Sequence, residues 1–345
     1  MSDLRHTGNH LVVLVNLQMG GYEIASRDFV AKDLSVNLEG RSFMITGANS
    51  GIGKATAMAI AKKGGTVHMV CRNKDKADSA REDIVKESGN TDIHVHILDL
   101  SESRKVWEFA EDFKSKHTSL NVLINNAGSM VKKREVNSEG LEKNFAINAL
   151  GVYILTKSLI PLLEKSKEPR VITVSSGGML VQKLRIADLQ TEKRSFDSTM
   201  VYAQNKRQQV VMTEEWARAH PRIHFSAMHP GWADTPAVSM ALPQLYETLR
   251  SRLRTPEQGA DTVIWLAISP AAARTSSGKF FQDRKVVPVH LPLAWTRYSR
   301  EKSWALVVRM EALVKKLQPS GGRSQLNSPM VELTGSPEDC VKKPL

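Results

Sequence analysis

The stretch TGANSGIG, Thr46–Gly53, limits what this chain can fold into more than any other feature. It follows a short apolar run, SFMIT (Ser42–Thr46), that reads as a strand, and it leads into Lys54–Lys63, which reads as a helix with small and apolar residues on one face. Glycine has no Cβ, so the backbone can turn sharply and approach a ligand closely. The helix beyond presents free N–H groups and the positive end of its dipole, which suits a pyrophosphate. The spacing is G-x-x-x-G-x-G rather than the more familiar G-x-G-x-x-G, so the strand–turn–helix setting carries the assignment. Thr46, Gly47, Asn49, Ser50, Gly51, Ile52 and Gly53 are the candidate phosphate-loop residues.

The alternation continues along the chain. Strands are expected at Thr66–Cys71, Ile93–Leu100, Leu120–Gly128, Arg170–Ser176 and Ile223–Gly231. Between them lie helical stretches at Lys74–Glu87, Ser103–Lys116, Leu141–Leu163 (carrying Gly151) and Val201–His220. Strands that alternate with helices imply βαβ units and a parallel sheet. The strands are mostly unbroken apolar runs, as a sheet covered on both faces requires. The expectation is one α/β domain, a doubly wound parallel sheet flanked by helices, over residues 38–290. Residues 1–37 form an extension without clear period. Residues 291–318 hold a helical stripe of Leu306, Met310, Leu313 and Leu317 with Arg309, Lys315 and Lys316 beside it. This stripe either packs on the domain or meets a membrane or partner as a basic amphipathic helix. Residues 319–345 are rich in Pro, Gly and Ser and read as a disordered tail, with weak phosphorylation signals at Ser328 and Ser336.

The net charge of +12 suits anionic ligands. It is spread along the chain, aromatics are sparse and no nucleic-acid module is legible, so nucleic-acid binding is not expected. The two cysteines, Cys71 and Cys340, form no disulfide framework and no metal spacing, which points to a reducing, intracellular and cytoplasmic setting. The run Leu11–Leu17 is far too short to span a bilayer. With Asp3 and Asn16 it makes a poor signal peptide.

The end of the second strand selects the nucleotide. An NAD site places an acid there for the ribose 2′-hydroxyl. Here Arg72 stands 19 positions after Gly53, and no acid occurs before Asp75. An arginine grips a 2′-phosphate with two hydrogen bonds, so NADP(H) is preferred over NAD(H). Asp99, in LDLS beside Leu100, could accept from an adenine amino group. In NNAG, Asn125 could tie strands while Asn126, Ala127 and Gly128 let the cofactor lie close.

TGANSGIG, NNAG, VSS and YAQNK, in this order and at these spacings, resemble the short-chain dehydrogenase/reductase family over about residues 40–281, and the retinol-dehydrogenase-like members within it. The resemblance implies a Rossmann-type domain that binds a nicotinamide cofactor and interconverts a carbonyl and an alcohol. It places the catalytic tyrosine at Tyr202, the lysine at Lys206, the serine (also the substrate contact) at Ser176 and the helix asparagine, with a relay water, at Asn148. PGWADT, with Pro230, Gly231, Trp232 and Thr235, matches the segment over the nicotinamide. Serine and tyrosine lie 26 residues apart, a longer gap than most of the family shows. AQN replaces the small residues usual between tyrosine and lysine.

Tyr202 and Lys206 share a helix face, and a nearby ammonium lowers a tyrosine pKa. In reduction Tyr202 would donate a proton to the carbonyl oxygen while Ser176 hydrogen-bonds to it. A lipophilic substrate would sit between Gly177–Thr199 and Trp232–Arg254, and long helices suggest a homo-oligomer. A cofactor-binding regulator with little turnover is the alternative. His94 and His96 share a strand face but lack metal-ligand partners. His229 is either a turn or a pocket histidine, and Lys132–Arg134 a solvated loop.

Overall fold

A computed structural model of the chain describes residues 21–241 and 243–318. Leu11–Leu17, Ser328, Ser336 and Cys340 lie outside the described residues. Eight strands form one sheet in the order β3-β2-β1-β4-β5-β6-β7-β8. These are β1 (Ser42–Thr46), β2 (Thr66–Cys71), β3 (Ile93–Ile97), β4 (Val122–Asn125), β5 (Arg170–Val174), β6 (His224–Met228), β7 (Lys279–Gln282) and β8 (Lys285–Val286). All neighbours through β7 pair in parallel, and β8 alone turns back antiparallel on β7. The sequence reading anticipated six strands. β7 and β8 are four and two residues long, too short to carry a period of their own.

Successive residues of a strand face opposite sides, so one apolar run feeds two cores. Phe43 and Ile45 of β1 pack with α1 (Gly51–Ala61), α2 (Lys74–Ser88) and α6 (Pro256–Ile268). Met44 faces the other layer, of α3 (Ser103–Lys116), α4 (Gly151–Leu163), α5 (Ser198–Ala219) and α7 (Arg300–Leu317). The strand order reverses direction between β1 and β4, which opens the crevice where a ligand sits in such sheets.

The stripe on α7 resolves in favour of packing. Leu306, Met310 and Val314 are buried in the core, with Leu313 and Leu317 against it. Tyr153 of α4 donates to Glu311, and Lys157 pairs with the same carboxylate at 2.5 Å. The stripe is thus turned inward rather than offered to a surface. Among the described residues one helical stretch, Lys143–Leu163, has the length and hydropathy to cross a membrane, but 83% of it is buried in this core. It is not one continuous α-helix as expected. Glu142 caps its start by accepting from the Asn144 and Phe145 N–H groups, and Ala146–Leu150 forms a π-helical turn before α4.

His94 and His96 join His68 and His117 around Phe113. His68 Nδ1 and His96 Nε2 lie 3.0 Å apart, so that one ring N–H donates to the other nitrogen, and His94 pairs with Asp92. Asp112 and Lys116 are the other charges facing this group. Burial, then the neighbouring histidines, lowers His68 to about 3 and His96 to about 4. The unfolded chain binds these protons below about pH 6.5 while the folded one refuses them. The associated stability is therefore complete above pH 6.5 and is lost as pH falls towards 4 and then 3. The melting temperature should drop by more than about 5 °C between pH 7.5 and pH 5, and less in His68→Gln; identical pH profiles would contradict this origin.

Candidate active site

A cleft of about 1240 Å³ opens along the carboxyl ends of β1, β2, β4, β5 and β6. A pocket for one small ligand spans roughly 300–1,000 Å³, so a dinucleotide and a substrate fit together. Gly47, Asn49, Ser50, Gly51, Ile52 and Gly53 form one wall. Gly53 is fixed by contact: a Cβ there would lie 2.3 Å from the Gly47 carbonyl oxygen and 2.5 Å from Asn126 Nδ2. That backbone cradle, with the N-terminus of α1 behind it, fits a pyrophosphate.

Of the candidate phosphate-loop residues, Thr46 alone does not line the cleft. It is buried, and its hydroxyl accepts from the Asn126 and Ala127 N–H groups. Asn126 returns a hydrogen bond to the Thr46 carbonyl at 2.9 Å. The glycine turn and NNAG are thus one unit. Asn125 reaches α4 instead of a neighbouring strand, donating to the Thr156 hydroxyl at 2.9 Å. Ala127 and Gly128 line the cleft. A Cβ on Gly128 would lie 3.3 Å from Lys206 Nζ and 3.4 Å from Asn148 Oδ1, so a side chain there would crowd both.

At the adenosine end Arg72, Asp99 and Leu100 line the wall. Asp99 accepts from the Ser101 N–H at 2.8 Å. Asn73 and Lys76, not foreseen, stand beside Arg72 on the same wall. Arg72 is exposed and free to grip an anion.

Ser176, Tyr202 and Lys206 meet at the centre. The two serines of VSS have different tasks. Ser175 is buried and donates to the Lys206 carbonyl at 2.9 Å, which ties β5 to α5. Ser176 faces the cleft, and its hydroxyl accepts from the Gly178 N–H. Lys206 Nζ donates to the Val174 carbonyl at 2.8 Å and lies 5.3 Å from the centre of the Tyr202 ring. The lowered tyrosine pKa expected from that ammonium does not emerge from the protein groups. Burial pushes the Tyr202 phenol up to about 12 and Lys206 down to about 7, because taking either charge out of water outweighs their mutual effect.

Asn148 sits in the π-helical turn. Its amide clamps Ser129, accepting from that N–H at 2.9 Å and donating to its carbonyl at 2.8 Å. Its main-chain oxygen accepts from Gln209 of α5. Such turns recur at functional sites.

AQN acquires a purpose. Gln204 donates to Gln182 and to the Lys183 carbonyl, at 2.9 and 2.6 Å, and so pins the long segment between Ser176 and Tyr202. Asn205 is buried and, with its amide oriented to satisfy it, donates to the Asn144 carbonyl at 3.2 Å.

Pro230, Gly231, Trp232 and Thr235 cover the cleft from the β6 side, and His229, almost fully buried, lines the same wall as a pocket histidine, held to about 3 by burial and the nearby Arg254. The cleft is also lined by Val181, Gln182, Arg185 and Met200, and by Pro236, Val238 and Met240. Leu293 and Ala294 also reach it. No sequence signal beyond an apolar run marked them.

A dinucleotide cradle at the switch point of a parallel sheet, facing a serine, a tyrosine and a lysine, defines a nicotinamide-dependent oxidoreductase. The chain belongs to the short-chain dehydrogenase/reductase family, whose short chain dehydrogenase model matches residues 41–244. It is 62% identical over 298 residues to dehydrogenase/reductase SDR family member 12 of Bos taurus, covering 86% of this chain and 94% of that one. It is 34% identical to human retinol dehydrogenase 12 over 78% of this chain and 86% of that one. Among solved structures it is similar to a short chain dehydrogenase of Shigella flexneri complexed with NADP, at TM-score 0.58 and 25% identity, covering 72% of this chain and 98% of that one.

Proposed function

We propose that the protein is an NADP(H)-dependent reductase of a lipophilic carbonyl, working in reverse on the corresponding alcohol. The observation that carries the chemistry is the Ser176–Tyr202–Lys206 group facing the glycine cradle in one cleft. NADPH, when bound, supplies the hydride to the carbonyl carbon. Tyr202 gives its phenolic proton to the carbonyl oxygen, and Ser176 donates a hydrogen bond to that oxygen as charge develops there. The Tyr202 phenol, pushed up to about 12 by burial, is protonated at neutral pH and so can act as the donor. Lys206, held by Val174, presents its Nζ between Tyr202 and Gly128, where a nicotinamide ribose would lie. Asn148 keeps the Ser129 backbone in place beside it, and a relay water towards Lys206 fits this corner.

Arg72, Asn73 and Lys76 support a 2′-phosphate at the adenosine end. The apolar side chains at the other end (Val181, Met200, Val238, Met240 and Leu293) support a lipophilic substrate. Retinoids, steroids and simple aldehydes, each with NADPH, form the deciding activity panel. Arg72→Ala should weaken NADPH about tenfold and leave NADH within about twofold, measured by titration of both. An unchanged ratio removes Arg72 from the site. Tight NADPH binding without turnover on the whole panel would favour a regulatory role.

A further inference from the structure

We propose that Arg254 is a positioning residue for the 230–235 loop, and that the N-terminal segment Gly21–Leu34 completes the device by covering Arg254 with Tyr22. The proposal rests on the reading above that a nicotinamide lies under this loop.

Arg254 holds the loop by both backbone and side chain. Its N–H donates to the Trp232 carbonyl, and its carbonyl accepts from the Asp234 N–H, each at 2.8 Å. Its Nη1 donates to the Pro230 carbonyl at 3.3 Å. The guanidinium lies flat against Gly231: a Cβ there would sit 2.4 Å from Nε and 2.6 Å from Cζ. Gly231 also takes φ +76°, so the loop's path is shaped to this side chain. At its other end the loop abuts the phosphate turn, where Thr235 would lie 2.9 Å from a Cβ on Gly51.

Arg254 is in turn fixed from outside. Asp283 grips it with both oxygens, at 2.6 and 3.1 Å, and both side chains are almost fully buried. Asp283 and its neighbour Arg284 are the central pair of the β7–β8 turn, at φ +50° and +57°. Non-glycine residues rarely adopt that backbone, and a tight hairpin of this kind ordinarily takes Asn-Gly or Asp-Gly. Here both side chains are needed: Asp283 for Arg254, and Arg284 for Asp261 at 2.8 and 2.5 Å. Backbone strain of this kind persists where the surroundings over-determine it. The N-terminal segment seals both pairs. The Tyr22 ring lies 5.4 Å from the Arg254 guanidinium carbon, and Phe29 covers Arg284 at 4.2 Å. Its far end is tied down by Asp33, which accepts from Trp265 Nε1, and by the Leu34 carbonyl, which accepts from Lys63.

The test uses the full-length protein and two ligands: NADPH, and adenosine 2′,5′-bisphosphate, which lacks the nicotinamide half and does not reach the loop. Tyr22→Ala and Arg254→Lys should each weaken NADPH about tenfold and leave the bisphosphate within about twofold, since small misplacements of a positioning group cost one to two orders of magnitude. Asp28→Ala, which removes only an exposed ion pair with Lys285 on the same segment, should change neither. Tyr22 is half-buried on the surface, so its variant remains folded even if the Arg254 variant does not. NADPH affinity unchanged in Tyr22→Ala, or an equal loss for both ligands, overturns the proposal. Wild-type protein that binds the bisphosphate but not NADPH overturns the cofactor reading, and this inference with it.

Discussion

Tyr202→Phe should lower turnover at least a thousandfold while changing the NADPH dissociation constant by no more than about threefold. The change removes one oxygen from a ring that keeps its place in the cleft wall. Its neighbours are less well placed to supply the proton. Ser176 faces the cleft with an ordinary hydroxyl, and Lys206 Nζ is turned to the Val174 carbonyl. His229 lines the cleft with its pKa held to about 3, so it is a neutral imidazole, not an imidazolium acid, at neutral pH. The pH profile sharpens the expectation. With the phenol near 12, the wild-type reductive rate should show no falling limb from Tyr202 between pH 6 and pH 9. The measurements are steady-state reduction and fluorescence titration of NADPH. Turnover within tenfold of wild type would remove Tyr202 from the reaction.

Gly53→Ala should weaken NADPH at least about a hundredfold, the scale of loss that follows from moving a positioning group by an ångström. The added carbon would overlap the Gly47 carbonyl and the Asn126 amide, and neither can withdraw cheaply. The first is backbone in a tight turn, with Gly47 at φ +69°. The second is held by its own bonds to the Thr46 and Gly47 carbonyls. Relief therefore requires the glycine turn and NNAG to part, which opens the phosphate cradle. Of this turn only Ala48 and Ile52 touch a core, and the rest of both cores lies along the strands and helices, so circular dichroism should remain that of a folded α/β protein. Binding within about threefold of wild type would show that the turn tolerates a side chain and is not the cradle.

Much of the architecture was legible because it is written in neighbours. Apolar runs such as SFMIT and the helical periods between them depend on residues close in sequence, so the parallel sheet and the crevice could be read directly. The shortest strands could not. β7 exists because β6 offers an edge to pair with, a partner more than fifty residues away in the chain, and the two-residue β8 only folds back on β7. The long apolar helix was misread as uniform, because the π-helical turn depends on Asn148 meeting Ser129 and Gln209.

The site divides in the same way. The glycine turn, NNAG, the serine pair and Y-x-x-x-K are local patterns, and the sequence alone determined that they belong to one chemistry. Only the tertiary structure decided what each residue does within it. Thr46 holds the NNAG turn instead of facing the cleft, because β1 and β4 are adjacent. Gln204 of AQN pins the Ser176–Tyr202 segment, because that segment folds back across α5. Tyr202 and Lys206 are shifted by burial rather than by each other, since desolvation depends on everything packed around them and spacing along a helix does not report it. Tyr22 and Arg254, 232 positions apart, come together for the same reason: stacking and ion pairing act through space, and the chain carries no local mark of a contact made only when the sheet is complete.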